Sequence, residues 1–509
     1  MIQQFKSARA AGCPLIAIQT ADPAFTIQNI MGIQPDPPPA IIQWDMVRGL
    51  VGLTPAGIMS IQDMAIDPMD ARDLPSVLAR IIRDPDIAAG ETVMQRFPAE
   101  GMILVLGAQM LIDQPPVRQA LWNARDAFKA DGRTVVLLMA GHATIPPDLQ
   151  HDILSLEEPL PTEEQLGIVA DKIHADVQMV PTQETRARAI EAVSGLSGFA
   201  AETAVAMSLR STGLDMDRLW ARKRQAIEAI DGMGFSIGGP TFAEVGGLDQ
   251  IKARASRIFQ GPEPPRIVAW VDEIEKLLAG EGDLSGVSQD QMAILLKSME
   301  DYGWTGILAV GHPGSGKSYF AKTLGATFGR PVFSVDFGAA KGSLMGESEH
   351  KIRAMMAAIK AAGDGRVLWV ATANKLTTIP PALRRRFRKG IYFFDLPTRV
   401  EKDSIWPIYR SKYAIPADEQ QPSDAGWTGA NIRDCCANSY EERCSLMEAA
   451  ESIVPVTLSS PEDVLALRQL ASGRFLSTNH PGAYRLEDSQ EGPSKVSLAP
   501  AQRHLKLTE

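Results

Sequence analysis

The sequence predicts an α/β fold in which short buried strands alternate with helices. Apolar runs such as Val135–Met139 and Val367–Val370 stand between stretches with helical spacing, a pattern typical of parallel strands that are buried on both faces. A glycine-rich loop, Gly311–Ser318, lies between a predicted strand and a predicted helix, and the acidic pair Asp272-Glu273 follows another predicted strand. Together these features predict a parallel sheet that carries the parts of a nucleotide-hydrolysis site.

The first part of the chain, residues 1–160, is predicted to be an α/β module without this chemistry. Thr20-Ala21-Asp22-Pro23 stands where a phosphate loop would be, and Gly107-Ala108-Gln109 replaces an acidic pair. His142 is interpreted as a loop residue rather than as part of a site. The four predicted strands are Pro14–Gln19, Ala40–Trp44, Met102–Leu106 and Thr134–Met139.

Residues 161–235 are predicted to form a helical lid and connector, because their apolar residues recur at helical spacing. A second core over 236–398 and a second helical lid over 399–478 follow. The tail, 479–509, is polar with several Pro and Gly residues and is predicted to be poorly ordered. The predicted helices of the first lid and connector are Glu163–His174, Gln183–Leu209 and Met216–Gly232.

The second core begins with the strand Ile267–Val271, which ends in the acidic pair. At this strand end the Asp272 carboxylate can hold a magnesium ion, and Glu273 can polarise an attacking water as a general base. The alternative is a solvated acidic turn, and the nearby phosphate loop favours the catalytic interpretation. A glycine-rich segment, Glu281–Ser288, is predicted to be a mobile loop.

The phosphate loop lies between the predicted strand Gly306–Val310 and the predicted helix Tyr319–Phe328. Its glycines let the backbone approach phosphates closely, and the helix N-terminus presents partial positive charge to an anion. Lys317 would reach the β- and γ-phosphates, and the Ser318 hydroxyl would ligate Mg²⁺. The residues predicted to contact ATP here are Gly311, His312, Pro313, Gly314, Ser315, Gly316, Lys317, Ser318 and Tyr319.

Two further polar features follow the strand Val367–Val370. The Asn374 amide can orient the attacking water or contact the γ-phosphate. Arg385 and Arg386 lie in a loop where an arginine could stabilise charge on the nucleotide of a neighbouring subunit. The alternative for these arginines is a solvated basic loop.

These motifs resemble the AAA+ ATPases over roughly residues 242–440. By this resemblance, Asn374 matches sensor 1, Arg385 and Arg386 match the arginine fingers, and Arg433 lies near the sensor-2 position. The resemblance implies Mg²⁺ and ATP as cofactors and a ring oligomer, expected to be a hexamer. It also implies that the nucleotide contacts Val245, Gly246, Gly429 and Ala430.

Within this family the sequence most resembles the Ycf-type AAA proteins of plastids and cyanobacteria. The runs Gly342–Glu349 and Ile391–Thr398 carry that likeness. The first run corresponds to the pore loop of AAA+ rings, but it contains Leu344-Met345 where many members have an aromatic residue. A plain loop-to-helix cap is the alternative for this run.

The order of the motifs departs from the family, because the strand with the acidic pair precedes the phosphate loop instead of following it. By strand role, the AAA+ sheet order is 5-1-4-3-2. The permuted chain can keep this order, since every strand stays parallel and every crossover keeps its right-handed sense. We therefore expect Asp272 and Glu273 to reach the phosphate loop despite the permutation.

The two halves of the chain also resemble each other. Gly195-Leu196-Ser197-Gly198 corresponds to Gly426-Trp427-Thr428-Gly429, and the Ile-Pro-Pro runs at 145–147 and 379–381 recur at a similar offset. Residues 1–235 are therefore interpreted as a degenerate AAA-like module for assembly or partner binding. The alternative is an unrelated α/β domain.

Length, charge and cysteine content limit the number of domains and the classes of partner and location that the chain can have. A chain of 509 residues suits two to four domains, and a net charge of −10 argues against broad nucleic-acid coating. The sequence shows no signal peptide and no apolar span long enough for a membrane crossing, and a cytoplasmic location is expected. Four cysteines form no zinc pattern and are interpreted as reduced thiols: Cys13, Cys435, Cys436 and Cys444.

The sequence thus favours an AAA+ ATPase that hydrolyses ATP to remodel an unidentified protein partner or complex. One alternative is a scaffold that binds ATP, assembles and turns over slowly. A third, an ATP-driven nucleic-acid motor, ranks last because no basic-aromatic groove is evident.

Overall fold

A computed structural model describes residues 1–64, 66, 69–82, 97–140, 143–277, 287–339, 347–375 and 379–488. The chain forms two compact units. The first comprises Met1–Asp231 with Ala340–Ala362, and the second comprises Gly232–Ala339 with Gly363–Glu509. The sequence placed residues 347–362 in the second core, whereas their contacts group them with the first unit.

The first unit contains a six-stranded sheet in the order β3-β2-β4-β5-β1-β6. All neighbouring strands are parallel except β2 and β3, which are antiparallel. The strands are β1 (Leu15–Thr20), β2 (Ile41–Asp45), β3 (Gly49–Gly52), β4 (Met102–Leu106), β5 (Thr134–Ala140) and β6 (Leu154–Glu157), and a small hairpin adds β7 (Leu209–Arg210) and β8 (Gly213–Leu214).

Both faces of this sheet are buried, as the continuous apolar runs predict. Along β1, Leu15 and Ala17 belong to one hydrophobic core, while Ile16 and Ile18 belong to the core on the opposite face. The helices of this unit are α1 (Ile2–Ala10), α2 (Pro23–Met31), α3 (Pro55–Met64), α4 (Leu74–Ile82), α5 (Pro115–Phe128), α6 (Glu163–Asp176), α7 (Gln183–Val193), α8 (Gly198–Ser208) and α9 (Met216–Glu228).

The prediction of one helix over Gln183–Leu209 is wrong, because the chain breaks between α7 and α8. Gly195 has a φ of 88°, in the left-handed region, and ends the first helix. The Ser197 side chain then accepts a hydrogen bond from the backbone N–H of Ala200 and caps the second helix. The corresponding Gly426 and Thr428 of the second unit share the positive φ and the N-cap role.

The helices after this sheet bury a lysine. The Lys223 side chain is 1% exposed, and its Nζ donates to the Glu191 carbonyl in the last turn of α7 at 3.1 Å. Its ammonium also lies 5.1 Å from the centre of the Trp220 ring. Burial lowers the pKa of Lys223 to about 7.

The end of β1 in the first unit carries a network centred on a carboxylate. Glu158, directly after β6, accepts from Thr20 Oγ1 at 3.0 Å, from Asn29 Nδ2 at 2.9 Å and from the Thr26 hydroxyl. A protein carboxylate is therefore bound between the end of β1 and the start of α2, where a phosphate loop would hold its anion. Asp22 accepts from the backbone N–H groups of Phe25 at 3.1 Å and Phe199 at 2.7 Å, so it links the N-termini of α2 and α8.

The second unit contains a seven-stranded sheet in the order β15-β14-β11-β13-β10-β12-β9. Only the pair β12 and β9 is antiparallel among its described strand pairs. The strands are β9 (Met233–Ser236), β10 (Ile267–Val271), β11 (Thr305–Gly311), β12 (Val332–Val335), β13 (Val367–Ala373), β14 (Gly390–Phe394) and β15 (Leu476–Ser477).

Helices connect and flank these strands, and those after β14 form the second lid. Its core packs Trp406, Trp427, Cys435 and Cys436 together, and burial raises the pKa of Cys435 to about 11. The helices of this unit are α10 (Asp249–Phe259), α11 (Val287–Asp301), α12 (Lys317–Thr327), α14 (Pro381–Arg384), α15 (Arg399–Lys412), α16 (Gly429–Glu442), α17 (Leu446–Ala450), α18 (Val456–Ser459) and α19 (Pro461–Ala471), whereas α13 (Glu347–Gly363) belongs to the first unit apart from its last residue.

The two sheets share one spatial plan but differ in chain order. In each, an antiparallel edge strand is followed by five corresponding parallel strands: β2-β4-β5-β1-β6 in the first unit and β12-β10-β13-β11-β14 in the second, where the short parallel strand β15 is added at the far edge. We call the third strand from the antiparallel edge the third-place strand. In the first sheet it is β4, the fourth strand along the chain, whereas in the second sheet it is β10, which precedes the glycine-rich loop. Helix α11 therefore leads from β10 past β13 to β11. The strand order is the 5-1-4-3-2 arrangement expected from the sequence.

Residues 479–488, which the sequence assigned to the tail, pack in the second unit. Tyr484 is 4% exposed, and its hydroxyl donates to Asp395 Oδ2 at 2.8 Å. The Leu248 N–H donates to Asn479 Oδ1 at 3.1 Å. The predicted loop at 281–288 lies almost entirely outside the described residues, as does the tail beyond 488.

We expect Lys223→Met to stabilise the protein at pH 6 by roughly 1–3 kcal/mol, because the buried ammonium is disfavoured. Between pH about 7 and 10.5 the unfolded chain binds the lysine proton and the folded chain does not. Wild-type stability therefore rises with pH in this window, and the advantage of the variant disappears. Urea denaturation across this pH range measures the effect. Lys172→Met, at an exposed position, is the control, and equal pH profiles for wild type and Lys223→Met would contradict the prediction.

We expect Glu158→Gln to destabilise the first unit by about 1–3 kcal/mol. The substitution keeps the shape of the side chain but replaces one acceptor oxygen with an NH₂ group. This NH₂ group would then face either the NH₂ group of Asn29 or the hydroxyl groups of Thr20 and Thr26, which now donate to Glu158. Thermal unfolding measures the loss. Glu157→Gln changes the exposed neighbour and serves as the matched control, which should unfold like wild type.

Candidate functional site

The Asp272 carboxylate joins the end of β10 to the end of β13 and to the start of α12, the helix that follows β11. Strands β11, β13 and β10 are consecutive neighbours in the sheet, so their carboxyl ends lie side by side. Asp272 Oδ1, after β10, accepts from Ser318 Oγ at 2.7 Å and from Thr372 Oγ1 at 2.6 Å. The structure thus brings together the predicted metal ligands Ser318 and Asp272, although 46 residues separate them.

Glu273 is held in an uncommon backbone conformation, with a φ of 49°. Its N–H donates to Thr372 Oγ1 at 2.8 Å, and its Oε1 accepts from Asn374 Nδ2 at 2.9 Å. Lys276 forms an ion pair with the same carboxylate. The predicted general base and the predicted sensor are therefore in direct contact.

Two residues of this cluster are not among the predicted site residues. Thr372 is fully buried and joins Asp272 to the backbone of Glu273. Glu275 Oε1 accepts from the Asn374 N–H at 2.7 Å, while its Oε2 is buried without a hydrogen-bond partner among the described residues. A threonine in an apolar strand is typical of ordinary β-structure, and only the neighbouring strand reveals its role.

The phosphate loop has the backbone that its glycines predict. Gly314 and Gly316 have φ values of 78° and 92°, and α12 begins at Lys317. Lys317 Nζ donates to the carbonyls of Gly311 at 2.9 Å and His312 at 2.7 Å. Burial lowers the pKa of Lys317 to about 8.

His312 lies behind the loop rather than in the cavity. Its side chain is buried, its ring centre is 6.1 Å from that of Phe393, and burial lowers the pKa of His312 to about 4. An imidazole in this environment is neutral at pH 7 and supports the loop by packing.

A cavity of about 340 Å³ extends from the phosphate loop. The loop forms its polar end, and side chains such as Val245, Leu248, Ile405 and Tyr409 give the other end an apolar character. Ten of the predicted cofactor-binding residues line it: Val245, Gly246, Gly314, Ser315, Gly316, Lys317, Ser318, Tyr319, Gly429 and Ala430. The lining residues that the prediction missed include Leu248, Asp395, Glu401, Ile405, Ile408, Tyr409, Thr478 and Asn479.

The second lid contacts the phosphate loop directly. The Ala430 N–H, in the first turn of α16, donates to the Gly314 carbonyl at 3.3 Å. A Cβ on Gly314 would lie only 2.8 Å from Thr428 Oγ1, the N-cap of that helix. The glycine is therefore needed for the approach of the lid as well as for its positive φ.

The arginines divide into two groups. Arg433 lines the cavity and forms an ion pair with Asp434 at 2.8 Å. Arg386 donates to Glu300 Oε2 at 2.6 Å, and Arg385 is exposed. Neither Arg385 nor Arg386 is among the described residues that line the cavity.

Two earlier predictions fall outside the described residues. Residues 340–346 contain most of the run compared with a pore loop, and His142 is also outside the description. Both therefore stay predictions.

The residues present fit a magnesium nucleotide. Magnesium is commonly held by one or two carboxylates together with phosphate oxygens and water, and Asp272 with Ser318 supplies one carboxylate and one hydroxyl. Across the described part of the chain, no group of three or more His, Cys, Asp or Glu residues is arranged to hold a metal by itself. The buried Lys317 ammonium, whose charge is disfavoured by burial, gains from an adjacent phosphate.

The described ranges also contain no helix with the length and apolar character needed to cross a bilayer.

Comparison with known proteins agrees with the AAA+ resemblance. Residues 1–158 match the family described as SpoVK-like AAA ATPase, N-terminal domain, and residues 307–364 match the ATPase family associated with various cellular activities (AAA). These matches support the interpretation of the first module as AAA-like.

Relatives from three organisms are each named "Uncharacterized AAA domain-containing protein ycf46". The chain is 24% identical to that of Gracilaria tenuistipitata var. liui over 393 residues, which cover 67% of this chain and 72% of the relative. It is 21% identical to that of Guillardia theta over 369 residues, or 63% and 66% of the two chains. It is 31% identical to that of Pyropia yezoensis over 147 residues, or 21% and 30%. The chain thus contains two regions that match AAA ATPase families, and over about two thirds of its length it is related to a Ycf46-type AAA domain-containing protein.

Proposed function

We propose that this protein binds Mg-ATP in the cavity of the second unit and hydrolyses it with the permuted strand β10. The 2.7 Å contact between Ser318 Oγ and Asp272 Oδ1 carries this proposal. It joins the hydroxyl of the phosphate loop to the carboxylate of a strand that precedes the loop in the chain, and Glu273 follows that carboxylate directly.

The loop and the lid would bind and orient the nucleotide. The loop N–H groups at the start of α12 and the Lys317 ammonium would contact the phosphates. The apolar end of the cavity, with Val245 and Ile405, suits a base, and Gly429 and Ala430 close it from the lid side. A magnesium ion held by Ser318 and Asp272 would neutralise phosphate charge.

The residues after β10 would activate water. The Glu273 carboxylate would accept a proton from the attacking water, and Asn374, 2.9 Å from Glu273 Oε1, would orient that water or the carboxylate. The positive φ of Glu273 costs an L-amino acid about 1–2 kcal/mol. Such strain is characteristic of residues held in place for function.

We propose that the active form is a ring oligomer, expected to be a hexamer, that acts on a protein partner. Arg385 is exposed and does not line the described cavity of its own chain. An arginine in this position suits the nucleotide of a neighbouring subunit. Arg386, bound to Glu300, would support the loop that carries Arg385.

A second candidate function is a slowly hydrolysing assembly scaffold. One observation favours it: the Glu273 carboxylate is engaged by both Asn374 and Lys276. A base with two internal partners would have to exchange at least one of them for water before each turnover.

We expect Glu273→Gln to lower ATP turnover by at least 100-fold while nucleotide binding is retained, because the amide cannot accept the proton. Turnover should be measured with Mg²⁺ across a protein concentration series, with binding measured in parallel. Glu263→Gln, at an exposed position, is the control. Wild-type turnover no faster than that of Glu273→Gln would reject the catalytic proposal in favour of the scaffold.

We expect Arg385→Ala to lack turnover alone but to regain it when mixed with Lys317→Ala. The first variant keeps an intact nucleotide site, and the second supplies an intact arginine to its neighbour. Arg388→Ala, an exposed residue close by, should behave like wild type. A mixture no more active than its separate components would contradict action between subunits.

A further inference from the structure

The apolar end of the cavity is partly built by residues 473–484, which we call the return segment. After α19 this segment comes back to the sheet, where Leu476 and Ser477 pair with Tyr392 and Phe393 of β14. The Tyr484 N–H donates to the Phe475 carbonyl at 2.7 Å, and the Gly473 N–H donates to the Tyr484 carbonyl at 2.8 Å. The segment is thus a closed loop fixed to the sheet edge.

The return segment also completes the N-terminus of α10. Leu248, at the N-cap position, has a φ of 61°, and its side chain offers no cap to the helix. The Thr478 carbonyl instead accepts from the N–H groups of Gln250 at 2.9 Å and Ile251 at 3.3 Å. Two N–H groups that a helix start leaves without partners are satisfied in this way.

Asn479 lies where the segment meets the cavity. Its Oδ1 accepts the Leu248 N–H at 3.1 Å, and both residues line the cavity at its apolar end. Its own N–H and that of His480 donate to Ser477 Oγ at 3.2 and 3.1 Å, which fixes the turn.

This geometry determines which way the Asn479 amide faces. Because Oδ1 is bound to a backbone donor, the other end of the amide must be the NH₂ group. No protein acceptor contacts that NH₂ group among the described residues. It is a donor fixed beside an apolar pocket, which is the arrangement that orients a ligand in a binding site.

We propose that Asn479 is a base-recognition residue, whose Nδ2 donates a hydrogen bond to a ring nitrogen of adenine. The inference rests on the proposed nucleotide binding and extends it from the phosphates to the base. Adenine offers ring-nitrogen acceptors on its edges, and an asparagine amide is a common partner for them. Leu248 and Thr478 position this amide, so recognition of the base depends on the return segment.

The first test compares ATP with inorganic tripolyphosphate, which has no base. We expect Asn479→Ala to weaken ATP binding roughly 5- to 10-fold, the effect of one hydrogen bond to a ligand. Tripolyphosphate binding should be unchanged. His480→Ala, at an exposed position in the same turn, should match wild type with both ligands, and Lys317→Ala should lose both.

The second test separates base recognition from a purely structural role. Binding of 1-deaza-, 3-deaza- and 7-deaza-ATP is measured for wild type and Asn479→Ala. We expect one analogue to bind wild type about 5- to 10-fold more weakly than ATP, and to bind Asn479→Ala as well as ATP does. The deaza analogue and the Asn479→Ala substitution would remove the same hydrogen bond, so their effects on binding free energy would not add. A loosened pocket would instead weaken all four nucleotides alike.

The possible failures differ. If wild type does not bind ATP, or if Lys317→Ala binds it normally, the proposed function fails and this inference fails with it. If wild type binds ATP through Lys317 but Asn479→Ala leaves the ratio of ATP to tripolyphosphate affinity unchanged, only the inference is overturned. An equal loss for every deaza analogue also overturns it.

Discussion

The hydrogen bond between Ser318 Oγ and Asp272 Oδ1 is the contact on which the candidate site depends. Asp272 follows β10, and Ser318 lies at the start of α12, the helix that follows β11. These two strands are not neighbours, because β13 lies between them. Thr372 of that middle strand donates to the same carboxylate oxygen at 2.6 Å. Hydroxyl groups from the start of α12 and from the end of β13 thus converge on one carboxylate oxygen just after β10. In a parallel sheet the position of a strand end is set by its neighbours, so the order in which the chain supplies the strands does not matter to the site.

The two units differ at the positions on which the proposed chemistry depends. In each, a residue with positive φ stands just before the short 3-10 turn that follows the third-place strand. This residue is Gly107 in the first unit and Glu273 in the second. Glycine adopts this conformation without strain, whereas glutamate must be held there by contacts such as those of Thr372 and Asn374. In the first unit, the Glu158 carboxylate is hydrogen-bonded to residues at the end of β1 and in α2. The position that corresponds to the phosphate loop therefore already holds an anion that belongs to the chain itself.

The sequence was sufficient for the features that follow from local pattern. The buried strands were predicted by their apolar runs, and the phosphate loop by its glycines and Lys317. Short edge strands such as β3, β9 and β15 were missed, because two to four residues show no period. Thr372, Glu158 and Asn479 were missed for a different reason: each acts through a partner about 100 or more residues away. A polar residue with a distant partner leaves no local signal.

The side chains that would act on the phosphates and on the attacking water already have partners within the chain, so phosphate binding would exchange contacts at these groups rather than add them. The exchanges differ in cost. The ion pair of Glu273 with Lys276 involves a lysine side chain that is 71% exposed, and such surface pairs contribute only about 0–1 kcal/mol. Lys317 differs, because burial lowers its pKa to about 8 and disfavours its charge. A phosphate beside this ammonium would offset that cost. The largest gain on binding is therefore expected at Lys317, and Glu273 would be released from Lys276 at little cost.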